Sequence, residues 1–252
     1  MVIKMDLKNK TAIVTGGAGG IGEGICRALS SRGAKVVVNY LDGELENAEK
    51  IVAEIMQNGG NAAAVEANVT DENEVAELVS RTLDEFEAIH ILVNCAGITI
   101  DGTAINLRKD QFEKVLAVNL TGPFLAMKAV LPHMISRQYG RIVSLSSVAG
   151  LIGLRGASAY AASKAGLIAL SKSVGREVAR KGITVNVICP GYINAGLTKN
   201  VPREYVEDLM KSVPMSRMGL PHDIGEAVAF LASNNAGYIT GEVLRVDGGF
   251  AM

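Results

Sequence analysis

Short runs of apolar, mostly β-branched residues alternate along the chain with longer amphipathic stretches. The apolar runs predict seven strands, at Thr11 to Thr15, Lys35 to Tyr40, Ala62 to Glu66, Ile89 to Asn94, Arg141 to Leu145, Thr184 to Cys189 and Val243 to Val246. The amphipathic stretches predict helices near 21–32, 44–58, 71–86, 110–138, 159–180 and 221–233. Strands separated by helices need crossover connections and form a parallel sheet. Because the strand runs are apolar on both faces, we expect a doubly wound α/β sandwich with helices on each side of the sheet.

Turn and cap residues mark several of the predicted boundaries. They are Gly33 and Gly59-Gly60 as helix ends, Asp71 with Glu74 as an N-cap and its reciprocal partner, and Pro221 as the start of the last long helix. No linker or repeat interrupts the pattern, so residues 1–252 are predicted to form one domain. The segment 194–214 lacks strand periodicity and is long for a connection, which is typical of a substrate lid.

Composition and charge exclude several classes of function. Hydrophobic residues make up 48% of the 252 residues and charged residues 20%, with no tryptophan, which is typical of an aliphatic α/β core. A net charge of −1 gives no overall field to attract nucleic acid or a membrane. No uncharged apolar run reaches the length of a membrane span, and the first residues lack the apolar region of a signal peptide. We expect a cytoplasmic protein that acts on a small molecule.

The cysteines and histidines show no metal-binding pattern. Cys26, Cys95 and Cys189 are odd in number and widely scattered, so neither disulfides nor zinc is expected. The three histidines are also far apart in sequence. Metal catalysis is therefore not predicted.

A glycine-rich segment follows the first predicted strand and leads directly into a helix. It reads Thr15-Gly-Gly-Ala-Gly-Gly-Ile-Gly22, which fits both G-x-G-x-x-G and T-G-x-x-x-G-x-G. Glycines allow positive φ and a close approach of the backbone to a ligand. The helix start offers unpaired N–H groups and a positive dipole end to a pyrophosphate. In this context the segment predicts dinucleotide binding rather than only a tight turn.

The end of the second strand bears on which dinucleotide binds. NAD enzymes hold the adenosine ribose with an acidic residue about 20 positions after the glycine loop. Here the strand ends with Asn39-Tyr40, and Asp42 comes two residues later. Asn39 and Tyr40 would not repel a 2′-phosphate, although the loop has no arginine to attract one. NADP(H) is therefore slightly favoured, and NAD(H) stays open as the alternative.

Tyr160 and Lys164 are four residues apart in a predicted helix, with Ser146 and Ser147 upstream. Positions i and i+4 share a helix face, so the phenol and the ammonium point the same way. A free tyrosine titrates near ~10, and a neighbouring positive charge lowers that pKa towards the range of a general acid or base. Alone, such a pair is more often a buried aromatic residue and a solvated lysine. Beside the glycine loop, it indicates acid/base chemistry on a carbonyl or an alcohol.

Taken together, the motifs resemble those of the short-chain dehydrogenase/reductase superfamily over residues 8–249. They comprise T-G-x-x-x-G-x-G at Thr15 to Gly22, Asn68-Val-Thr-Asp71, Asn94-Cys-Ala-Gly97, Asn119, Ser147 thirteen residues before Tyr160, Lys164, Pro190-Gly191 and Val246-Asp-Gly-Gly249. Within the superfamily the chain is most similar to the 3-oxoacyl-[acyl-carrier-protein] reductases. The resemblance implies a Rossmann-type fold and hydride transfer between a nicotinamide cofactor and a ketone or secondary alcohol.

The resemblance also implies roles for individual residues. Tyr160 would give its proton to the carbonyl oxygen in reduction and withdraw it in oxidation, while Ser147 hydrogen-bonds that oxygen. Lys164 would hold the nicotinamide ribose and lower the pKa of the phenol, and Asn119 would bind a water in a proton relay to Lys164. Cys95 would be a packing residue. The implied cofactor contacts are Gly16, Gly19, Gly20, Ile21, Gly22, Tyr40, Asn68, Val69, Asn94, Ala96, Gly97, Tyr160, Lys164, Pro190, Gly191 and Ile193.

One departure from the family pattern follows Pro190-Gly-Tyr-Ile193. Most relatives place a threonine there that reaches the nicotinamide carboxamide, whereas this chain reads Asn194-Ala-Gly196. The side-chain contact is therefore expected to be lost, leaving the Ile193 backbone to bind the carboxamide. Thr198 could compensate if the loop shifts.

Several substrates and partners are compatible with this pattern. Reduction of a 3-oxoacyl thioester on acyl carrier protein or coenzyme A is preferred. The alternatives are a catabolic dehydrogenase for a sugar, steroid, cyclic alcohol or hydroxyacyl-CoA and, more remotely, a non-catalytic nucleotide sensor. Basic residues that could dock an acidic carrier protein are Arg137, Arg141, Lys172, Arg176, Arg180 and Lys181. Relatives commonly form tetramers, and the small-residue face at 157–169 and the ending 243–252 suit a homotetramer.

Overall fold

The computed structural model describes residues 6–196 and 210–252. Within these residues seven strands form one sheet: β1 Thr11–Thr15, β2 Lys35–Tyr40, β3 Asn61–Glu66, β4 Ile91–Asn94, β5 Gly140–Leu145, β6 Ile183–Pro190 and β7 Val243–Val246. The strand order is β3-β2-β1-β4-β5-β6-β7, and every neighbouring pair is parallel. The predicted seven-stranded parallel sheet is confirmed.

Helices cover both faces of this sheet. In the described ranges the α-helices are α1 Gly20–Ser30, α2 Leu45–Gln57, α3 Glu72–Phe86, α4 Lys109–Leu116, α5 Gly122–Arg137, α6 Ala149–Ile152, α7 Ser158–Val178 and α8 Pro221–Ala232. Neighbouring strand residues point to opposite faces. Val14 and Val38 therefore pack in the core under α1, α2 and α8, while Ile13 and Val37 pack in the core under α3, α5 and α7. This is the doubly wound sandwich that the apolar runs predict.

The helix predicted at 110–138 is interrupted in its middle. A π-helical turn, Ala117–Thr121, separates α4 from α5, and such insertions are frequent at functional sites. By length and composition alone, Lys109–Arg137 could cross a membrane, although charged residues interrupt its apolar sequence. In the fold, Met127 and Val130 of this helix are buried against the sheet.

Two local details differ from the sequence prediction. The sequence pattern does not predict α6, a single turn shortly after β5. Asp71 caps α3 as predicted, since its carboxylate accepts from the backbone N–H groups of Asn73 and Glu74 at 2.8 and 3.1 Å. The Glu74 carboxylate, however, accepts from the Asn68 N–H at 2.7 Å. The predicted reciprocal bond from Glu74 to Asp71 is therefore wrong.

Helices α1 and α8 approach each other through glycines. A Cβ atom on Gly24 would lie 2.5 Å from the Cβ of Pro221, and one on Gly225 would lie 2.6 Å from the Gly24 carbonyl oxygen. Real Cβ atoms do not come so close to a neighbour, so both positions need glycine. This close contact fixes the position of α1 relative to α8. The first residues of α1 are the end of the glycine loop.

Candidate active site

A cleft of about 740 Å³ opens at the carboxyl edge of the sheet. It lies where the connections after β1 and β4 diverge, which is the usual ligand site of doubly wound folds. The predicted cofactor contacts that line it are Gly16, Gly19, Gly20, Ile21, Tyr40, Asn68, Val69, Ala96, Gly97, Tyr160, Lys164, Pro190, Gly191 and Ile193. Ser147 lines it as well. The fold thus brings most of the predicted site together.

The glycine loop forms one wall of the cleft with its backbone. Gly16 has φ +62, and a Cβ there would lie 2.8 Å from the Cα of Ala96. At Gly19, the N-cap of α1, a Cβ would meet nothing within 4 Å, and no side chain caps the helix. The first N–H groups of a helix have no acceptor within the helix. This uncapped start fits the pyrophosphate of a dinucleotide.

Gly22 and Asn94 do not line the cleft. Gly22 lies beneath the loop, where a Cβ would overlap the Gly16 carbonyl oxygen. Asn94 is buried, and its Nδ2 donates to the Ser144 Oγ at 3.2 Å. The geometry gives Gly22 and Asn94 supporting positions behind the wall instead of the predicted direct contacts.

The far end of the cleft is formed after β2 and β3. Tyr40, Leu41 and Glu44 line it from one side, and Asn68 and Val69 from the other. The Asn68 Oδ1 accepts from the backbone N–H and the Oγ1 of Thr70, at 3.0 and 2.8 Å. This leaves the Asn68 Nδ2 as its donor towards a ligand.

Tyr160 and Lys164 lie together at the inner end of the cleft, on the first turns of α7. Lys164 is 4% exposed, and its Nζ donates to the Leu145 carbonyl at 2.8 Å and lies 5.6 Å from the centre of the Tyr160 ring. The Oγ of Ser146 donates to the Lys164 carbonyl at 2.8 Å. Ser146, which directly follows β5, thus ties the end of that strand to α7. The sequence pattern gave no signal of this bond.

Ser147 and Asn119 flank this pair in different ways. The Ser147 side chain lies beside the Tyr160 phenol and acts to lower its pKa, and its Oγ accepts from the Ala149 N–H at 3.1 Å. Asn119 is fully buried and does not line the cleft. Its Oδ1 accepts from the Ile98 N–H at 2.9 Å, and its Nδ2 donates to the Ile98 carbonyl at 2.9 Å and the Ser163 Oγ at 3.0 Å. A Cβ on Gly97 would lie 3.3 Å from both the Asn119 Oδ1 and the Lys164 Nζ, which places these two polar groups on one side of Gly97.

The segment after β6 closes the other side of the cleft. Ile193 pairs with Gly219 in an isolated bridge, and the Asn194 N–H donates to the Gly219 carbonyl at 2.8 Å. Ala195 and Gly196 both line the cleft, where relatives are expected to carry threonine and a polar residue. A Cβ on Gly20 would lie 2.7 Å from the Gly196 nitrogen, so this segment rests on the glycine loop. Residues 197–209 of the predicted lid, including Thr198, lie outside the described residues.

Comparisons with known proteins agree with this geometry. The family model described as enoyl-(acyl carrier protein) reductase matches residues 16–251. A 3-oxoacyl-[acyl-carrier-protein] reductase of Synechocystis sp. is 42% identical over 247 residues, 98% of each chain. The FabG 3-oxoacyl-[acyl-carrier-protein] reductase of Staphylococcus aureus is 40% identical over 243 residues, 96% of this chain and 98% of its own. The chain belongs to the short-chain dehydrogenase/reductase family.

A solved structure extends the likeness to the whole fold. That of a proposed gluconate dehydrogenase from Agrobacterium tumefaciens matches with a TM-score of 0.94 and 31% identity, over 99% of this chain and 98% of that one. As a family member, the chain is an NAD(P)-dependent oxidoreductase. The cleft, its uncapped helix start, the partly buried phenol and the buried lysine fit a nicotinamide dinucleotide.

Burial governs the protonation of the site. It raises the pKa of Tyr160 above the usual value, with the Ser147 hydrogen bond acting in the opposite direction, and it lowers the pKa of Lys164 to about 8. The expected lowering of the Tyr160 pKa by Lys164 is therefore wrong for the protein alone, because removal of the phenol from water outweighs it. Burial also raises the pKa of Cys95 to about 11, which suits a packing residue and not a nucleophile.

The described residues hold no cluster of three or more histidine, cysteine, aspartate or glutamate side chains arranged for a metal ion. The chemistry of the cleft is that of a phenol, a lysine, a serine and backbone N–H groups.

Proposed function

We propose that the chain reduces 3-oxoacyl thioesters with a nicotinamide cofactor. The observation that carries this proposal is the partly buried phenol of Tyr160, which lies beside Ser147 and Lys164 in a dinucleotide cleft. The names of relatives about 40% identical over nearly the whole chain support it. When bound, the cofactor supplies the hydride that reduces the carbonyl carbon.

The residues of the chain divide the remaining work. Ser147 hydrogen-bonds the carbonyl oxygen and holds it beside the phenol, and Tyr160 donates the proton that this oxygen takes up. Lys164 binds the nicotinamide ribose and keeps positive charge near the phenol. Asn119 holds the π-helical turn against Ile98 and supports a water that passes protons towards Lys164. The cleft residues from Gly16 to Ile193 bind the cofactor.

The exposed apolar residues shortly after Ser147 favour an acyl chain over a sugar. Helix α6, which follows Ser147, leaves Leu151 and Ile152 42% and 54% exposed. Apolar side chains beside a reacting carbonyl match a hydrocarbon better than a row of hydroxyl groups. The catabolic dehydrogenases remain the second candidate, because the solved relative named for gluconate has nearly the same fold.

A panel of substrates tests this proposal. NADPH and NADH oxidation is followed with acetoacetyl-CoA, a 3-oxoacyl thioester of acyl carrier protein, crotonyl-CoA as an enoyl substrate and several ketones, and the reverse reaction with gluconate and NADP⁺ or NAD⁺. We expect turnover with the 3-oxoacyl thioesters. Faster turnover of crotonyl-CoA or gluconate would contradict the assignment, and turnover of none would favour the nucleotide sensor.

Tyr160→Phe is the catalytic control in the same assay. Removing the phenol hydroxyl should lower kcat by at least about 100-fold, the usual contribution of a general acid. Binding of NADPH, measured by calorimetry, should stay within about twofold because cofactor contacts are spread over the cleft. Turnover close to that of the wild type would remove Tyr160 from its role.

The proposed cofactor preference is NADP(H), by a small margin. Tyr40 and Leu41 line the end of the cleft where the adenosine ribose is proposed to bind, and they carry no negative charge. Lys114 also lines the cleft. The margin is small because the Glu44 carboxylate is present there as well, with its Oε2 accepting from the Leu41 N–H at 3.1 Å. Equal or tighter binding of NADH than of NADPH would overturn the preference.

The same proposal extends to partners and assembly. We propose acyl carrier protein as a substrate carrier, a cytoplasmic location, a homotetramer, and a single domain, 1–252, with a lid at 194–214. Arg141 is 6% exposed and so is a wrong prediction for a docking residue, while Arg137, Lys172, Arg176, Arg180 and Lys181 are exposed. Light scattering after gel filtration tests the tetramer.

A further inference from the structure

Asn39, the next-to-last residue of β2, has a side chain that is bonded entirely to backbone groups inside the protein. It is 2% exposed, and its Oδ1 accepts from the Gly16 N–H at 3.2 Å. Its Nδ2 lies within hydrogen-bond distance of the carbonyls of Ala67, Val65 and Tyr40, at 3.0, 3.3 and 3.3 Å. An oxygen facing an N–H and an NH₂ facing carbonyls fix the orientation of the amide.

These bonds connect two separate walls of the cleft. Gly16 begins the glycine loop, and the backbone carbonyl of Asn39 accepts from the N–H of the next residue, Gly17, at 2.8 Å. Ala67 leads directly into Asn68 and Val69, which line the far end of the cleft. The Asn39 residue therefore sets the distance between the phosphate-binding loop and the segment proposed to contact adenine.

We propose that Asn39 is a positioning residue for the adenosine diphosphate half of the cofactor. The inference rests on the proposed cofactor site. Because the amide is committed to backbone groups, Asn39 acts through the loop and the segment after β3 and not by direct recognition of the 2′-phosphate. The reacting groups Tyr160 and Lys164 lie on α7 and make no bond to Asn39.

Asn186 offers a matched control in another strand. It is 0% exposed, its Nδ2 donates to the Ile239 carbonyl at 2.8 Å, and its Oδ1 accepts from the Glu242 N–H at 3.0 Å. It is thus a buried strand amide that joins backbone segments, but it does not line the cleft. Its loss should affect folding in the same way and leave the cofactor walls in place.

The experiment compares Asn39→Leu with Asn186→Leu in the full chain. Binding of ADP and of NADPH is measured by calorimetry, and steady-state kinetics with acetoacetyl-CoA give kcat and the KM for NADPH. Asn39→Leu should weaken ADP binding and raise the KM for NADPH by at least about tenfold, the size of a lost hydrogen-bond set, with kcat within about twofold. Asn186→Leu should leave the ADP affinity and the KM for NADPH within about twofold of the wild-type values. Both leucine variants should lose thermal stability.

If Asn39→Leu does not fold, Asn39→Asp still tests the proposal. The aspartate keeps an acceptor for the Gly16 N–H but turns a carboxylate oxygen towards the carbonyls of Val65 and Ala67, which favours its protonated form. The protonated carboxyl group has an O–H that can donate to one of these carbonyls, as the amide does in the wild type. The ratio of variant to wild-type ADP affinity should therefore improve by at least about threefold from pH 8 to pH 5.5.

Three results would overturn the inference. They are wild-type ADP affinity in Asn39→Leu, an equal loss in Asn186→Leu, and an affinity ratio for Asn39→Asp that does not change with pH. Failure of the proposed cofactor site looks different, because the wild-type chain would then bind neither ADP nor NADPH. Failure of the proposed 3-oxoacyl reduction would appear as wild-type binding of both without turnover of acetoacetyl-CoA. If the wild type binds ADP and NADPH and Asn39→Leu binds them equally well, only the positioning role of Asn39 is refuted.

Discussion

Burial gives the two central residues of the site opposite tendencies. It holds Tyr160 in its protonated form at neutral pH, because its pKa is raised. It lowers the pKa of Lys164 to about 8, so the ammonium is kept at neutral pH at a cost in stability. A protonated phenol beside a substrate oxygen is ready to donate a proton. The protein alone is therefore set for reduction more than for oxidation.

The protonated phenol of Tyr160 predicts different pH dependences for carbonyl reduction and for alcohol oxidation. Reduction needs the protonated phenol and should change little with pH at the Tyr160 step between pH 6 and pH 8. Oxidation needs the phenolate, whose fraction below its pKa rises about tenfold per pH unit. The kcat for oxidation, measured from pH 6 to pH 10, should therefore rise throughout. A plateau in the kcat for oxidation beginning near pH 7 would contradict the raised pKa.

Lys164 should also appear in the stability of the protein. Its folded pKa of about 8 lies below the unfolded value of 10.5, so the unfolded chain binds more protons between these values and stability rises with pH through that window. The shift of about 2.5 units, from 10.5 − 8, corresponds to roughly 3 kcal/mol across the full window. Lys164→Met removes this dependence.

Denaturant unfolding of the cofactor-free protein at pH 7 and pH 10 measures the effect. From pH 7 to pH 10, the free energy of unfolding should rise more in the wild type than in Lys164→Met. Lys172→Met, which removes an exposed lysine of the same helix, should follow the wild type. Parallel curves for wild type and Lys164→Met would show that burial does not shift this lysine.

At the scale of elements, the glycine contact between α1 and α8 limits substitution. In Gly24→Ala the new methyl group would lie 2.5 Å from the Pro221 Cβ. Overpacking of this kind costs about 1–3 kcal/mol, more than the helix propensity that alanine gains. We expect a lower free energy of unfolding and a lower melting temperature.

Gly19→Ala is the contrasting variant on the same loop and helix. Its Cβ would meet nothing within 4 Å, so stability should stay within about 0.5 kcal/mol. NADPH affinity should fall, since the methyl group stands at the open start of α1 where the pyrophosphate is proposed to bind. If Gly24→Ala proved as stable as Gly19→Ala, the close packing of α1 on α8 would be refuted.

Element positions follow from the sequence better than the links between elements do. All seven strands lie within two residues of their predicted bounds, because apolar runs and glycine turns are local signals. The π-helical turn at Asn119 and the single turn α6 depend on contacts with distant segments and leave no periodic trace. The bonds of Asn39, in β2, and of Ser146, directly after β5, likewise depend on segments that are distant in sequence. Tyr160, Lys164 and Ser147 line one cleft, and this could be predicted because together they match a family motif, whereas the Tyr160 and Lys164 spacing alone would not have sufficed.

At the scale of the whole molecule, docking of an acidic carrier depends on exposed charge. Arg176 and Arg180 lie on the outer side of α7 and just after it. With 1.5 Å per helical residue, Arg176 is about 24 Å along the helix from Tyr160. A carrier protein is large enough to contact such a distant patch, whereas a small thioester is not.

Replacing Arg176 and Arg180 with glutamate should therefore separate two substrates. The KM for an acyl-carrier-protein thioester should rise about three- to tenfold and depend less on salt, while the KM for acetoacetyl-CoA should not change. Lys50→Glu, at an exposed residue of α2, controls for a charge reversal outside this patch. Equal effects on both substrates would contradict docking at this patch.

The pairing of α1 with α8 has a consequence for how the chain acquires its fold during synthesis. The two helices are separated by about 190 positions, so the first helix has no partner for its glycine surface until α8 has been synthesised. β1 likewise lacks its second neighbouring strand until β4 has been synthesised. Nascent chains therefore carry an uncovered apolar face over this span of translation, which is the state that chaperones bind and that aggregates form from.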